Sequence, residues 1–134
     1  MRILFCGIMV PEEIEYQVKN ISAAGNRFQN NVIKNLKLLG HEVLTISYVA
    51  IPVPEKLRNT LEDTEDKKYI IRESSGWRGT YQAVRKCRKA VGNLIKTTDC
   101  VICYNIFYSY YFLPQTAKKY LKKSLLILAD FSGP

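Results

Sequence analysis

The chain has 134 residues, which suits one domain of ordinary size. Hydrophobic residues make up 47% and charged residues 24%, so a real core is possible and disordered, collagenous and repetitive classes are excluded. With 20 Lys and Arg against 12 Asp and Glu the net charge is +8, which points to an anionic partner: nucleic acid, a phosphate-bearing ligand or an acidic membrane face.

Arg2-Ile3-Leu4-Phe5-Cys6, followed by Gly7, reads as a buried first strand. Met1 to Val10 is too short for a secretory signal, and Pro11-Glu12-Glu13 stops it. No apolar run reaches the roughly 18 residues of a membrane span. The expected compartment is therefore the cytoplasm, with Cys6, Cys87, Cys100 and Cys103 reduced. Glu12 to Lys19 is expected to form a short helix.

From about Asn26 the pattern turns helical. Phe28, Val32, Ile33, Leu36 and Leu39 fall at the spacing of an inward face. Gly40 ends that helix, and His41-Glu42 leads into a second strand, Val43 to Ile46. Strand, helix and strand make a βαβ unit. Ile51 to Asp66, with Pro52 and Pro54, reads as a loop holding one helical turn. Lys68 to Arg72 is the third strand. Thr80 is expected to cap a helix to about Lys96, with Ala83, Val84, Cys87, Val91, Leu94 and Ile95 facing inward. Cys100 to Tyr104 is the fourth strand. A helix from about Ser109 to Leu121 carries Pro114 near its first turns, and Leu125 to Leu128 is the fifth strand, with Asp130 just past it.

Solid apolar strands alternating with helices predict an α/β fold with a mainly parallel, doubly wound sheet and helices on both faces. Such sheets bind ligands beyond the carboxyl ends of their strands. Attention falls on the Gly7 to Gly25 loop, on Asn105 and on Asp130.

Gly25-Asn26-Arg27 opens the first helix, where free N–H groups and the helix dipole hold anions. Gly25 lets a ligand approach the backbone, and Arg27 adds a bidentate donor. The competing reading is a capped helix start with a solvated Arg27. The dinucleotide fingerprint is absent, because no second glycine follows Gly7 at the required spacing. Cys100 and Cys103 stand three apart in a strand, so they point to opposite faces and cannot chelate one metal. No metal site is expected. His41, the single histidine, lies in a turn at the opposite end of the sheet from the strand C-termini. Asp130 is positioned to orient or deprotonate a hydroxyl, or else to cap the turn before Ser132. The aromatic run Tyr104, Phe107, Tyr108, Tyr110, Tyr111 and Phe112 is expected to divide about evenly between core and groove. The basic helix face of Arg85, Lys86, Arg88, Lys89 and Lys96 fits peripheral contact with anionic lipid, at the inner face of a membrane, or simple solvation. No zinc-finger, RRM or helix-turn-helix pattern supports nucleic acid as a partner.

Taken in order, Arg2-Ile3-Leu4-Phe5, the loop to Gly25-Asn26-Arg27, Leu39-Gly40-His41-Glu42-Val43, Asp99 to Ile102 and Leu126 to Asp130 resemble the N-terminal half of glycosyltransferase family 4 enzymes. The resemblance covers nearly all of the chain and implies a single Rossmann-like domain, residues 1–134, of the GT-B kind. It implies metal-independent transfer of a sugar from a nucleotide-sugar donor to a saccharide or lipid-linked acceptor, with retention of configuration. The N-terminal domain of that family binds the acceptor, and a C-terminal donor domain, absent from these 134 residues, is the expected partner. Asp130 would stand beside the reacting centre, and Gly25, Asn26, Arg27 and Asn105 would face acceptor or phosphate. This chain alone is then expected to be inactive. The other readings are a non-catalytic Rossmann-like module that partners a separate donor domain, and a flavodoxin-like protein, which the basic charge disfavours.

Overall fold

The computed structural model describes residues 1–18, 22–49, 53, 55–73, 76–105, 110–120 and 124–128. Five strands form one sheet: β1 (Arg2–Gly7), β2 (Glu42–Val49), β3 (Lys67–Ile71), β4 (Cys100–Tyr104) and β5 (Ser124–Leu128). Their spatial order is β3-β2-β1-β4-β5, and every pairing is parallel. Among the described residues four α-helices connect them: α1 (Ala23–Leu38), α2 (Glu55–Arg58), α3 (Gly76–Ile95) and α4 (Leu113–Lys119), with a 3-10 segment at Glu12–Gln17. The α/β, doubly wound arrangement follows the apolar strands, of which the central β1, β2 and β4 are buried on both faces. No helix among the described residues is long and apolar enough to cross a membrane.

Alternation along each strand sorts the core into two layers. Leu4, Cys6, Leu44, Ile46, Val101 and Cys103 pack under α3, which contributes Ala83, Cys87, Val91 and Ile95, and Leu113 of α4 joins them. Ile3, Phe5, Val43, Ile102 and Tyr104 point the other way, against Ile33 of α1. A third cluster, Val10, Ile14, Val49, Val53, Leu57 and Leu61, seals the 3-10 segment and α2 onto the β3 side.

Several elements differ from expectation. Helix α1 begins at Ala23 rather than near Asn26, because Ser22 caps it by accepting from the Gly25 N–H at 3.1 Å. Its buried stripe is Gly25, Asn26, Gln29 and Ile33, whereas Phe28 and Leu39 are 49% and 74% exposed. Val32, Ile33 and Leu36 do face the core as expected, but the periodicity misses the polar first turns, since the N-terminal half of α1 covers backbone that needs polar partners. Helix α3 runs from Gly76, and Thr80, its fifth residue, donates back to the Gly76 carbonyl instead of capping. Strand β2 continues three residues past Ile46, to Val49, where it pairs with Ile71. Helix α4 spans only Leu113–Lys119, with Pro114 in its first turn, where a missing N–H costs nothing; Ser109 and Leu121 lie outside the described residues.

Strand β3 is an edge, and the segment before it folds back over it. Tyr69 N–H donates to the Asp63 carboxylate at 2.9 Å, and the Lys67 carbonyl accepts from Thr64 N–H at 2.9 Å. On the α3 side, the fully buried Tyr110 places its hydroxyl 2.9 Å from the Gly7 carbonyl and 3.1 Å from that of Ile46. One phenol proton thus ties the end of β1 and the middle of β2 to the chain after β4. Tyr110→Phe should lower the unfolding free energy by about 1–3 kcal/mol, the cost of a buried acceptor left without its donor. Urea denaturation measures this, and a change below roughly 0.3 kcal/mol would show that the hydroxyl contributes nothing.

Candidate functional site

The strand order reverses at β1. From β1 the chain moves toward β2 and β3, and from β3 it crosses to β4 on the other side. The carboxyl ends of β1 and β4, at Gly7 and Tyr104, flank this switch point, above which open α/β sheets bind ligands in a crevice.

One wall is the connection from β1 to α1. Its first residues, Ile8 to Val10, are largely buried, so their polar backbone groups must find partners. The Gln29 carboxamide accepts from Ile8 N–H and donates to the Ile8 carbonyl, both at 2.9 Å. Asn26 accepts from Val10 N–H at 2.8 Å, and Asn30 donates to the Val10 carbonyl at 3.2 Å. Three side chains of one helix face thus pair with two residues of loop as a strand would. Gly7 lies beneath, and a Cβ there would collide with Gln29 Oε1.

Behind this wall, Asn26 also donates to Glu15 at 3.0 Å, and Arg27 holds the same carboxylate through Nη2 at 2.7 Å and Nε at 2.8 Å. The Asn26 hydrogen bond, and then Arg27, hold the Glu15 carboxyl below its usual value near 4.5, although burial works against them. A depressed carboxylate stabilises the fold above its unfolded pKa, and that stabilisation is lost as pH falls through the folded value.

The other wall is the end of β4. Tyr104 is buried, and its ring stands 5.9 Å from that of Phe28, which is half exposed. Its hydroxyl occupies the space above Gly25, where a Cβ would approach it to 2.9 Å. Asn105 follows with φ +53°, left-handed backbone that a non-glycine residue adopts at some cost and that Asn tolerates best. Strained residues of this kind concentrate where a chain is held for function.

The expected site residues therefore meet different fates. Gly25 and Asn105 lie on the two sides of the crevice. Asn26 is 1% exposed, with its carboxamide committed to Val10 and Glu15. Arg27 stays largely exposed but is paired with Glu15, so its charge is locally offset. Asp130 lies outside the described residues. Glu15, Gln29 and Asn30 are not evident as site residues from the chain alone. Their one signal is a run of carboxamides, at 26, 29 and 30, at helical spacing just after a strand and loop.

His41 is remote from the crevice, with Nδ1 3.1 Å from the Met1 amino group at the amino ends of the strands. The two cysteines of Cys100-x-x-Cys103 fall in opposite core layers. Burial pushes the Cys87 and Cys103 thiols up to about 12, and Cys6 well above its usual value. Reactive thiolates do not arise there. Among the described residues no group of three or more His, Cys, Asp or Glu is placed to hold a metal ion. Two grooves, of about 230 and 420 Å³, lie apart from the crevice, between β3 and α3.

In comparisons with known proteins, no family model, no curated protein and no solved structure matches this chain.

Two measurements check the site. Glu15→Gln should be less stable than the parent at neutral pH, and the gap should close as pH falls below the ordinary carboxylate value near 4.5 and through the lower folded one. Denaturation midpoints across pH report it, and a gap independent of pH would remove Glu15's charge from the account. At β4, Asn105→Gly should be more stable than Asn105→Val by about 1–2 kcal/mol, because only glycine enters left-handed backbone freely. Equal melting temperatures for the two variants would contradict a strained Asn105.

Proposed function

We propose that this chain is the acceptor-binding, N-terminal Rossmann-like domain of a retaining glycosyltransferase of the GT-B kind. The observation that carries the reading is the exposed aromatic at the mouth of the crevice. Phe28 is 49% exposed, rests on Tyr104 and sits three residues from Gly25 on the helix that opens onto the switch point. Sugar rings pack their C–H faces on such surfaces, while hydroxyl and amide groups at the rim fix orientation. Asn105, in left-handed backbone just past β4, stands next to Tyr104 in the chain, and the first turn of α1 offers N–H groups to phosphate. The missing dinucleotide fingerprint argues against a nicotinamide enzyme, and the order of motifs along the chain agrees with glycosyltransferase family 4.

In this reading Asp130 orients or deprotonates the acceptor hydroxyl as the donor's anomeric bond breaks, and a C-terminal donor domain brings the nucleotide sugar. No metal is required. The leading alternative is a non-catalytic module that binds a saccharide for a separate donor domain. It rests on the same aromatic surface but assigns no chemistry to Asp130.

The test is sugar transfer by the complete gene product, screened over a panel of nucleotide sugars. Asp130→Asn should abolish transfer with binding intact. Phe28→Ala should raise the acceptor KM by about 2–10-fold with kcat little changed, the loss expected for one aromatic contact. Acceptor binding without transfer from any donor would favour the binding module. Neither binding nor transfer would overturn both readings.

A further inference from the structure

The outer face of α3 presents a feature that the crevice does not explain. Over the 20 residues Gly76–Ile95 the helix contains no Asp or Glu. It carries Arg78, Arg85, Lys86, Arg88 and Lys89, all exposed, while its inner face packs Ala83, Cys87, Val91 and Ile95 into the core. Trp77 and Tyr81 stand at its start, 74% and 61% exposed. The Arg78 guanidinium lies 5.6 Å from the centre of the Trp77 ring.

The placement is ordered. At about 100° per residue, Trp77, Tyr81, Arg85 and Arg88 fall within roughly 80° of arc, in one stripe along the helix. Lys118 and Lys119 are exposed on α4, which packs Leu113 into the same core layer as α3. Cations and interfacial aromatics thus share one side of the sheet.

We propose that the outer face of α3 docks on an anionic lipid surface, with Trp77 and Tyr81 seated at headgroup level and Arg85 and Arg88 against lipid phosphates. Trp and Tyr suit that depth, since each has an apolar body and a polar tip. An acid-free helix face meets negative headgroups without internal repulsion, and each juxtamembrane cation adds about fivefold to partitioning. The inference stands independently of the sugar-transfer reading.

Trp77 is the only tryptophan, so its emission reports docking directly. The full chain is mixed with vesicles of phosphatidylglycerol and phosphatidylcholine, and separately with phosphatidylcholine alone, at low and high salt. Co-sedimentation and a blue-shifted Trp77 emission are expected with the anionic vesicles at low salt, both weakened by salt. Arg85→Ala with Arg88→Ala should reduce partitioning roughly 25-fold, about fivefold per charge. Tyr81→Ser should reduce it with the melting temperature unchanged. Failure to sediment with anionic vesicles at low salt would overturn the proposal. So would sedimentation insensitive to the double variant, or binding of single-stranded RNA in the absence of any lipid binding.

Discussion

The structure depends on the pairing of helix α1 with the loop that precedes it. Ile8 and Val10 leave β1 at the centre of the sheet, where water cannot serve their backbone groups. Asn26, Gln29 and Asn30 serve them instead. A carboxamide suits this because it offers an acceptor and donors in one plane, as a peptide does. The loop held in this way seats Val10 and Ile14 in the third core cluster and brings Gly7 directly under the helix. One face of α1 is therefore polar and buried, which is costly unless every partner is present.

The same pairing decides what the crevice has left for a ligand. Asn26 is consumed by the scaffold and Arg27 is offset by Glu15, so the helix start is less electropositive than its sequence suggests. Groups from β4 gain in importance accordingly. Tyr104 and Asn105 stand across from the loop, and Phe28 closes the gap between the two walls. Tyr110 holds the frame from the far side of the sheet, where its hydroxyl reaches both β1 and β2.

Strand positions are largely legible in the chain, because solid apolar runs such as Ile3 to Cys6 and Cys100 to Cys103 have few other uses in a domain with helices on both faces. The inner face of α3 is legible too, since Ala83, Cys87, Val91 and Ile95 follow a single helical stripe. The face of α1 is not. Apolar periodicity weights Phe28 and Leu39, but burial at its first turns is set by backbone groups of a loop that local pattern does not reveal. The site divides along the same line. Gly25 and Asn105 are reachable from position alone, the one at the opening of a helix and the other just past the end of a strand. Glu15 is not, since it meets Asn26 and Arg27 only once the 3-10 segment folds back.

The two borders of the sheet are finished differently. Along β3 the segment holding Asp63 and Thr64 occupies backbone groups that another strand would seek. Such occupation blunts unwanted pairing between molecules. At the opposite border stands β5, paired with β4 in parallel register from Cys100 against Ser124 to Tyr104 against Leu128. The sheet is thus polarised in its capacity to grow. Among the described residues no strand pairs beyond β5, so a strand arriving there would meet no such prior occupant among them, whereas one arriving at β3 would have to displace Asp63 and Thr64.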